Sequence, residues 1–481
     1  MVLTYTAMQV KFTTLLHIYL KMNSFEYSGF WWLPSNPEDQ VAGNLKFSNK
    51  TGFSLELIGS FSNFDVVSFY QEEKYPIILG IVTNKLITLY NCYQKNYHIS
   101  YPGFTTQILG ARLAFIGHHF NNKEEIRFKK IEVDFTYLKD LSPLVHEFNV
   151  EDMPENFKDN YSIYTKSFAI KNDIKASITK GDIYIKQCID SETKKSIINI
   201  NKSALIEIKL KQLFTLDEIL KEYINPLKNF ITLISNQPNF IEKLYVSLDD
   251  LPTKIEIIFS TSNYIEKIKS VNEFNFLLRL EDIEQDFSLI LQKWFNFYDD
   301  CYDIINLYFS TIYNSNLYAE NEFLSLVQAL ESFHRRILDK CSSYTESHEL
   351  RLNAIIESAP IEYKDWLKDK LLFSHEPTLV DRLNQIINLT KITVAPLVID
   401  VNNFAKDVKK FRNYLTHYND PSQAILLKND EIFRINQVLN FTIKTFLLLQ
   451  LGCTAEFCKE KISRGNEYGY LKNLIDKKRN E

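Results

Sequence analysis

The period of the hydrophobic pattern changes once along the chain, near residue 270, and that change restricts the fold more than any other feature. Before it, apolar and polar residues alternate in short runs. These are GNLKFSN (43–49), FSLELIGSF (53–61), PIILGIVTNKLITLYNCY (76–93), ARLAFIGHHF (111–120), RFKKIEVDFTYL (127–138), DIYIKQCI (182–189), SALIEIKL (203–210) and TKIEIIFST (253–261). A strand points successive side chains to opposite faces, so each run reads as a strand bounded by Gly, Asn, Asp or Lys turns. Many short strands at fairly even spacing predict a sandwich or a strongly bent antiparallel sheet. One helix interrupts them, TLDEILKEYINPLKNFITLIS (215–235), with Thr215 or Asp217 as cap and Pro226 as a kink.

From about 275 the period becomes 3.6. IEQDFSLILQKWFNFYDDCYDIINLYFSTIY (283–313) is one long apolar helix or two. AENEFLSLVQALESFHRRILDK (319–340) carries the stripe Leu326, Leu330, Phe333 and Ile337. EYKDWLKDKLLF (362–373), PTLVDRLNQIINL (377–389) and VNNFAKDVKKFRNYLTHYND (401–420) follow. NDEIFRINQVLNFTIKTFLLLQLG (429–452) is the last strong helix and stops at Gly452. The fold class is therefore α+β and multidomain, a β-rich N-terminal half followed by an all-α bundle. The expected division is 23–270 and 271–481, with 1–22 as an extension or a start assigned too early.

Composition excludes several functions. Only 12 glycines occur, where average usage would give roughly three times as many. No G-x-G-x-x-G and no P-loop pattern exists, so a glycine cradle for phosphates is excluded. The net charge of −5 argues against a general nucleic-acid coat and leaves room for a local basic site. The six cysteines are scattered and lack metal-ligand spacing, which fits buried thiols in a reducing cytoplasm. Neither a metal nor another cofactor is expected, and no membrane span or signal peptide is evident. In GFWWLP (29–34) we read aromatic packing before a turn, and a docking surface between the halves. The histidines of GHHF (117–120) would face opposite ways in a strand, poor geometry for one metal. SRGNEYGYLKNLIDKKRNE (463–481) reads as a basic, partly disordered tail.

The candidate site is KKFRNYLTHYND (409–420). Phe404, Val408, Phe411 and Leu415 form the buried stripe of its helix, and Asp420-Pro421 breaks it. Asn413 and His417 share a face one turn apart, with Arg412 beside Asn413. Lys406, Lys409 and Lys410 raise the local positive potential and would attract RNA. Such a set supports RNA scission without a metal. The 2′-OH is the nucleophile, a His moves protons near neutral pH, and an Arg grips the phosphate oxygens bidentately. The structural alternative is an exposed helix end with His417 placed against the negative end of the helix dipole. Glu331, His334 and Arg335 are i, i+3, i+4 neighbours, either a helix-stabilising pair with a nearby His or a second wall of the same cleft.

RNYLTH resembles the R-x4-6-H signature of HEPN-domain ribonucleases, with a polar residue directly after the Arg. GFWWLPSNPEDQVAGNLKFSN resembles the opening of the N-terminal domain of the ApeA family, where a Trp-Leu-Pro segment precedes a Gly-led first strand. LVQALESFHRR resembles the helix that precedes the motif in that family. The resemblance implies a helical HEPN domain that dimerises so that two motifs line one cleft. It implies RNA cleavage that leaves a cyclic phosphate and a 5′-hydroxyl, with host RNA, tRNA among the candidates, as target. It implies a role in abortive infection and leaves open what the β-rich sensor or regulatory domain senses, a phage-derived trigger being one candidate. The carry-over falls on Arg412, Asn413 and His417, with Glu331, His334 and Arg335 as weaker additions. A competing reading is a non-catalytic HEPN-like protein that only dimerises or docks a partner beside a ligand-sensing β-domain.

Overall fold

A computed structural model describes residues 24–61, 74–98, 100, 102–141, 145–149, 165–169, 173–194, 197–249, 253–260, 271–314, 316–339, 346–417 and 429–480. The expected N-terminal extension and the Asp420-Pro421 break lie outside them. The chain forms two compact units, 1–273 with 278–292 and 274–277 with 293–481.

The first unit begins with β1 (Phe25–Leu33), β2 (Asn36–Ser48), β3 (Gly52–Ile58), β4 (Lys74–Val82), β5 (Lys85–His98) and β6 (Thr106–Ile116). They are hydrogen-bonded in the order β6-β3-β2-β1-β4-β5, and β5 pairs again with β6. The bend expected of the sheet goes to closure, a six-stranded antiparallel barrel. Trp31, Leu45, Leu55, Ile78, Leu89 and Ala114 fill it. Trp31 is fully buried and its indole N–H donates to the Gly43 carbonyl at 3.2 Å. Gly80 lies directly opposite on β4, where a Cβ would come within 2.2 Å of the ring. Glycine there lets the backbone approach the indole face. GFWWLP is thus strand and barrel core, and Trp31 is not a docking surface. Trp32 meets the His119 ring edge to face. His118 and His119 follow the end of β6 rather than alternating in a strand, and His119 Nε2 is 2.8 Å from the Gly80 carbonyl.

The sheet then leaves the barrel. Its further strands are β7 (Arg127–Phe135), the hairpin β8 (Val145–Asn149) and β9 (Thr165–Ala169), β10 (Ile174–Ile178), β11 (Gly181–Lys194), β12 (Ile197–Thr215), β13 (Ile241–Ser247) and β14 (Ile255–Phe259). One edge of β6 serves two partners, β3 from Thr106 to Leu109 and β14 from Leu113 to Ile116. From β14 the order runs β13-β7-β12-β11-β10, and among the described residues β8 and β9 pair with each other as a separate hairpin. Ile131, Val133, Ile183, Ile206, Ile208 and Leu244 are buried along this extension. On the alternate positions Glu132 and Glu207 face each other across β7 and β12, with Lys130, Lys186, Lys209 and Lys254 over them.

Thr215 closes a capping box with Glu218 and starts a helix. A π-helical turn, Leu220–Ile224, then precedes α1 (Asn225–Ser235), which has Pro226 in its first turn. Proline lacks the N–H that the regular ladder needs, and the widened turn accommodates it. α2 (Phe287–Asp300) starts in this unit, with Phe287 against Phe230 and Gln292 accepting from the Thr179 N–H at 2.7 Å. The unit boundary falls inside α2.

The second unit holds the rest of α2, then α3 (Tyr302–Tyr313), α4 (Ala319–Phe333), α5 (Glu346–Ser358), α6 (Lys364–Leu371), α7 (Leu379–Leu389), α8 (Val401–His417), α9 (Asn429–Gln450), α10 (Ala455–Ser463) and α11 (Asn466–Asn480). The long apolar stretch from 283 is two helices that break at Cys301. α9 is the core helix, buried at Ile435, Val438, Ile443 and Phe446, and the Phe446 ring packs tilted against Phe333 of α4. It ends at Gly452, whose φ of +93 favours glycine. The C-terminal segment corrects our expectation of a partly disordered tail. α11 buries Tyr468, Leu471 and Ile475, and the Tyr468 hydroxyl donates to the Thr393 carbonyl at 2.7 Å.

Candidate functional site

α8 presents the motif. Phe404, Ala405, Val408 and Leu415 are buried, and the half-buried Phe411 meets Phe323 of α4 edge to face at 6.4 Å. This apolar stripe locks one side of the helix and leaves the other in solvent. Arg412 is half-buried, and Asn413 and His417 are exposed. Arg412 Nη1 lies 3.5 Å from Asn413 Oδ1, and the Thr416 hydroxyl donates to the Arg412 carbonyl at 2.6 Å. Among the described residues no side chain engages His417. At about 100° and 1.5 Å per residue, Arg412 and His417 stand roughly 140° apart around the axis and about 7.5 Å along it. One helix therefore carries an arginine and a histidine on diverging sides.

The three lysines lie on the same helix. Lys406 donates to Asn403 Oδ1 at 3.3 Å, and Lys410 is 3.8 Å from Asp407. Lys409 lies beside Asp381 in the first turn of α7. The Thr378 hydroxyl and backbone N–H hold the Asp381 carboxyl below the usual range, and Lys409 adds to this. All three ammonium groups stay at the surface.

Glu331, His334 and Arg335 serve a different place. His334 is buried, with Nδ1 3.1 Å from Arg382 Nη1 and Nε2 2.8 Å from Gln385 Oε1. A guanidinium only donates, so Nδ1 accepts and Nε2 carries the proton. Arg335 pairs with Glu331 at 3.1 Å and Glu376 at 2.5 Å. The fully buried Arg382 reaches Asp339 at 2.5 Å and Glu376 at 3.1 Å. The network joins chain on either side of α5 and α6. It is centred eight residues or more past Phe323, about 12 Å along α4. Among the described residues no hydrogen bond or ion pair joins it to Arg412, Asn413 or His417. Sequence reasoning missed Arg382, Glu376 and Asp339 because they are distant in the chain. Arg382 had one signal, a charge beside the apolar Leu383, Ile386 and Ile387 of α7.

Among the described residues no three His, Cys, Asp or Glu converge on a metal-ion site, and no helix is long and apolar enough to cross a membrane. Burial pushes the Cys92 and Cys458 thiols up, the latter to about 12, as expected of structural thiols.

The helical unit that carries Arg412 and His417 on α8 matches the family of Apea-like HEPN domains over residues 324–457. Residues 26–294 match ApeA N-terminal domain 1, which spans the barrel and its extension. The chain belongs to the ApeA family of HEPN proteins. No curated protein and no solved structure matches it.

Proposed function

We propose that this protein is a metal-independent endoribonuclease of an abortive-infection defence against phage. It works in the cytoplasm on host RNA, tRNA among the candidate targets. The observation that carries the reading is a half-buried Arg412 and an exposed His417 flanking the apolar stripe of a helix that the core holds. The RNA 2′-OH attacks the adjacent phosphorus and loses its proton to a histidine. The bond to the 5′-oxygen breaks, and that oxygen takes a proton from an acid. A 2′,3′-cyclic phosphate and a 5′-hydroxyl result. Arg412 balances charge on the non-bridging oxygens, with Asn413 orienting its guanidinium. Base and acid are two jobs, and one copy has one His at this helix end. A second copy across a two-fold axis supplies the other. The β-rich unit reads the phage-derived trigger.

The test is RNA end sequencing with the purified full chain and its Arg412→Ala and His417→Ala forms in excess EDTA. Each variant should lose about 10²–10⁴ in cleavage rate. Wild-type rates from both variants, or loss in EDTA that Mg²⁺ restores, would overturn the reading. RNA binding without cleavage by the wild type would leave a docking protein.

A further inference from the structure

We propose that the β-rich unit holds a binding site for a single nucleotide, in the cavity where β5 and β6 face the helix that Thr215 starts. The site lies wholly within that unit. It goes beyond the nuclease reading and does not depend on it.

The cavity has a volume of about 280 Å³, at the small end of ligand pockets. Its floor is apolar and aromatic. Leu113, Phe115, Leu220 and Phe259 are buried there, and the half-buried Tyr90 meets Phe115 edge to face at 6.4 Å. Its rim is polar, formed by Asn91, Arg112, Lys123 and Asp217. Among the described residues no hydrogen bond or ion pair engages the side chains of Asn91, Lys123 or Asp217. The turns that carry the last two are nevertheless braced. Beside Lys123, Glu125 accepts from the Asn121 N–H at 2.8 Å and donates its own N–H to Asn122 Oδ1 at 3.1 Å. Thr215 and Glu218 close their capping box on either side of Asp217. The strands also deform here. Leu89 and Cys92 of β5 belong to the barrel core, as do Ala111 and Ala114 of β6. A regular strand sends every second residue to one face, so both strands break their alternation at this point. Asn91 and Arg112 lie at the break, between the pairs Tyr90–Leu113 and Cys92–Ala111. Asn91 takes φ +53, a conformation seldom adopted by residues other than glycine. The break turns Tyr90 and Leu113 out of the barrel core and into the cavity wall. Irregularities of this kind re-aim side chains and concentrate at binding sites.

The lining selects the chemistry. An aromatic floor is covered best by a flat ring. Arg112 and Lys123 supply the donors that a phosphate needs. Asp217 accepts from a sugar hydroxyl or a base amino group, and the Asn91 amide both donates and accepts toward a base edge. Two cations against one carboxylate leave the rim with a net positive charge, which favours an anion. An inorganic anion would leave the floor uncovered. A fatty acid would set its chain against Asp217 with no donor to offer. A nucleoside monophosphate combines ring, hydroxyls and phosphate in one molecule of this size. It arrives free or as the terminus of an RNA, and the recognition chemistry is the same for both.

The experiment is isothermal titration calorimetry on the full chain with AMP, GMP, CMP and UMP, beside their parent nucleosides, inorganic phosphate and free tyrosine. We expect at least one monophosphate to bind once per chain, about tenfold or more tighter than its nucleoside and than phosphate. Lys123→Glu should weaken that binding about tenfold or more, and Asp217→Ala should weaken it too, with the circular dichroism of both variants unchanged. A short RNA added to the His417→Ala form then separates the sources. Displacement of the bound monophosphate assigns the site to an RNA terminus, and its retention assigns the site to the free nucleotide. No binding by any of the four at millimolar concentration overturns the proposal, and so does equal binding by phosphate alone or tighter binding by tyrosine. Binding that survives Lys123→Glu and is lost in Arg412→Ala would place the nucleotide at the motif and overturn it as well. If Lys123→Glu fails to fold, hydrogen exchange on the wild type decides. A saturating monophosphate should slow exchange across 88–92 and 215–220, and unchanged exchange there overturns the proposal.

Discussion

His334 shows how much a side chain's neighbours decide. In sequence it stands one helical turn from Glu331 and beside two arginines, as a proton carrier could. In the fold both ring nitrogens are engaged and the ring is buried against Arg382. Removing one partner of a buried ionic network leaves the rest uncompensated. Arg382→Ala should therefore destabilise the helical unit by about 3–5 kcal/mol, read by calorimetry on the full chain. Asp134 of β7 gives a pH prediction. Burial, then Glu242, raises its carboxyl to about 7 from 3.8, against the pull of Lys243, Lys139 and the Phe135 N–H. Between those values the folded state holds a proton that the unfolded state has released. The stability linked to this group is thus complete below about pH 4 and is lost as pH rises through about 7. Asp134→Asn should flatten the fall in melting temperature between about pH 5 and pH 8 and should melt above the wild type at pH 8. An unchanged slope would show that the group titrates elsewhere.

Among elements, β1 and α8 carry contrasting loads. β1 exists to place Trp31 between Gly43 and Gly80, so Trp31→Ala leaves a cavity that the closed barrel cannot collapse around. The expected loss is about 3–5 kcal/mol in thermal unfolding. Gly80→Val should be comparably damaging because its side chain would enter the indole. α8 is packed on one side only, and its open side tolerates change. Replacing Lys406, Lys409 and Lys410 by Ala should leave the fold intact and weaken RNA binding. The salt dependence should become shallower by about 0.7 in log–log slope for each single-strand phosphate that is no longer neutralised. An unaltered slope in a filter-binding titration would remove these lysines from the RNA path.

For the whole molecule, the two units imply divided labour. A nuclease that ran freely would halt its own host, so restraint by the β-rich unit until a trigger arrives is the expected design. Inducing the full chain without phage should then slow growth no more than the His417→Ala form does. Strong toxicity of the wild type alone would show that the β-rich unit recruits substrate instead.

Patterns of short range were legible in the sequence because their causes are local. The change of period separates the strands from the helices, Thr215 caps through Glu218 three residues on, and Gly452 ends α9. The position of Arg412, Asn413 and His417 beside the apolar stripe of α8 follows from spacing, whereas their reading as a site came from the family resemblance. Pairing at a distance was not legible. β1, β8, β9, β10 and β13 were missed as strands; in β1 the periodicity is broken by residues that suit particular neighbours, as Gly29 and the two tryptophans do. Barrel closure depends on β5 and β6 meeting over a register that no single strand encodes. The terminal segment looked solvated because most of its residues are polar, yet three apolar ones at helical spacing sufficed to dock it once Thr393 and Val398 were in place. Local backbone preference and side-chain periodicity belong to the sequence. Which buried charge meets which partner is decided only when residues dozens of positions apart are brought within a few ångströms.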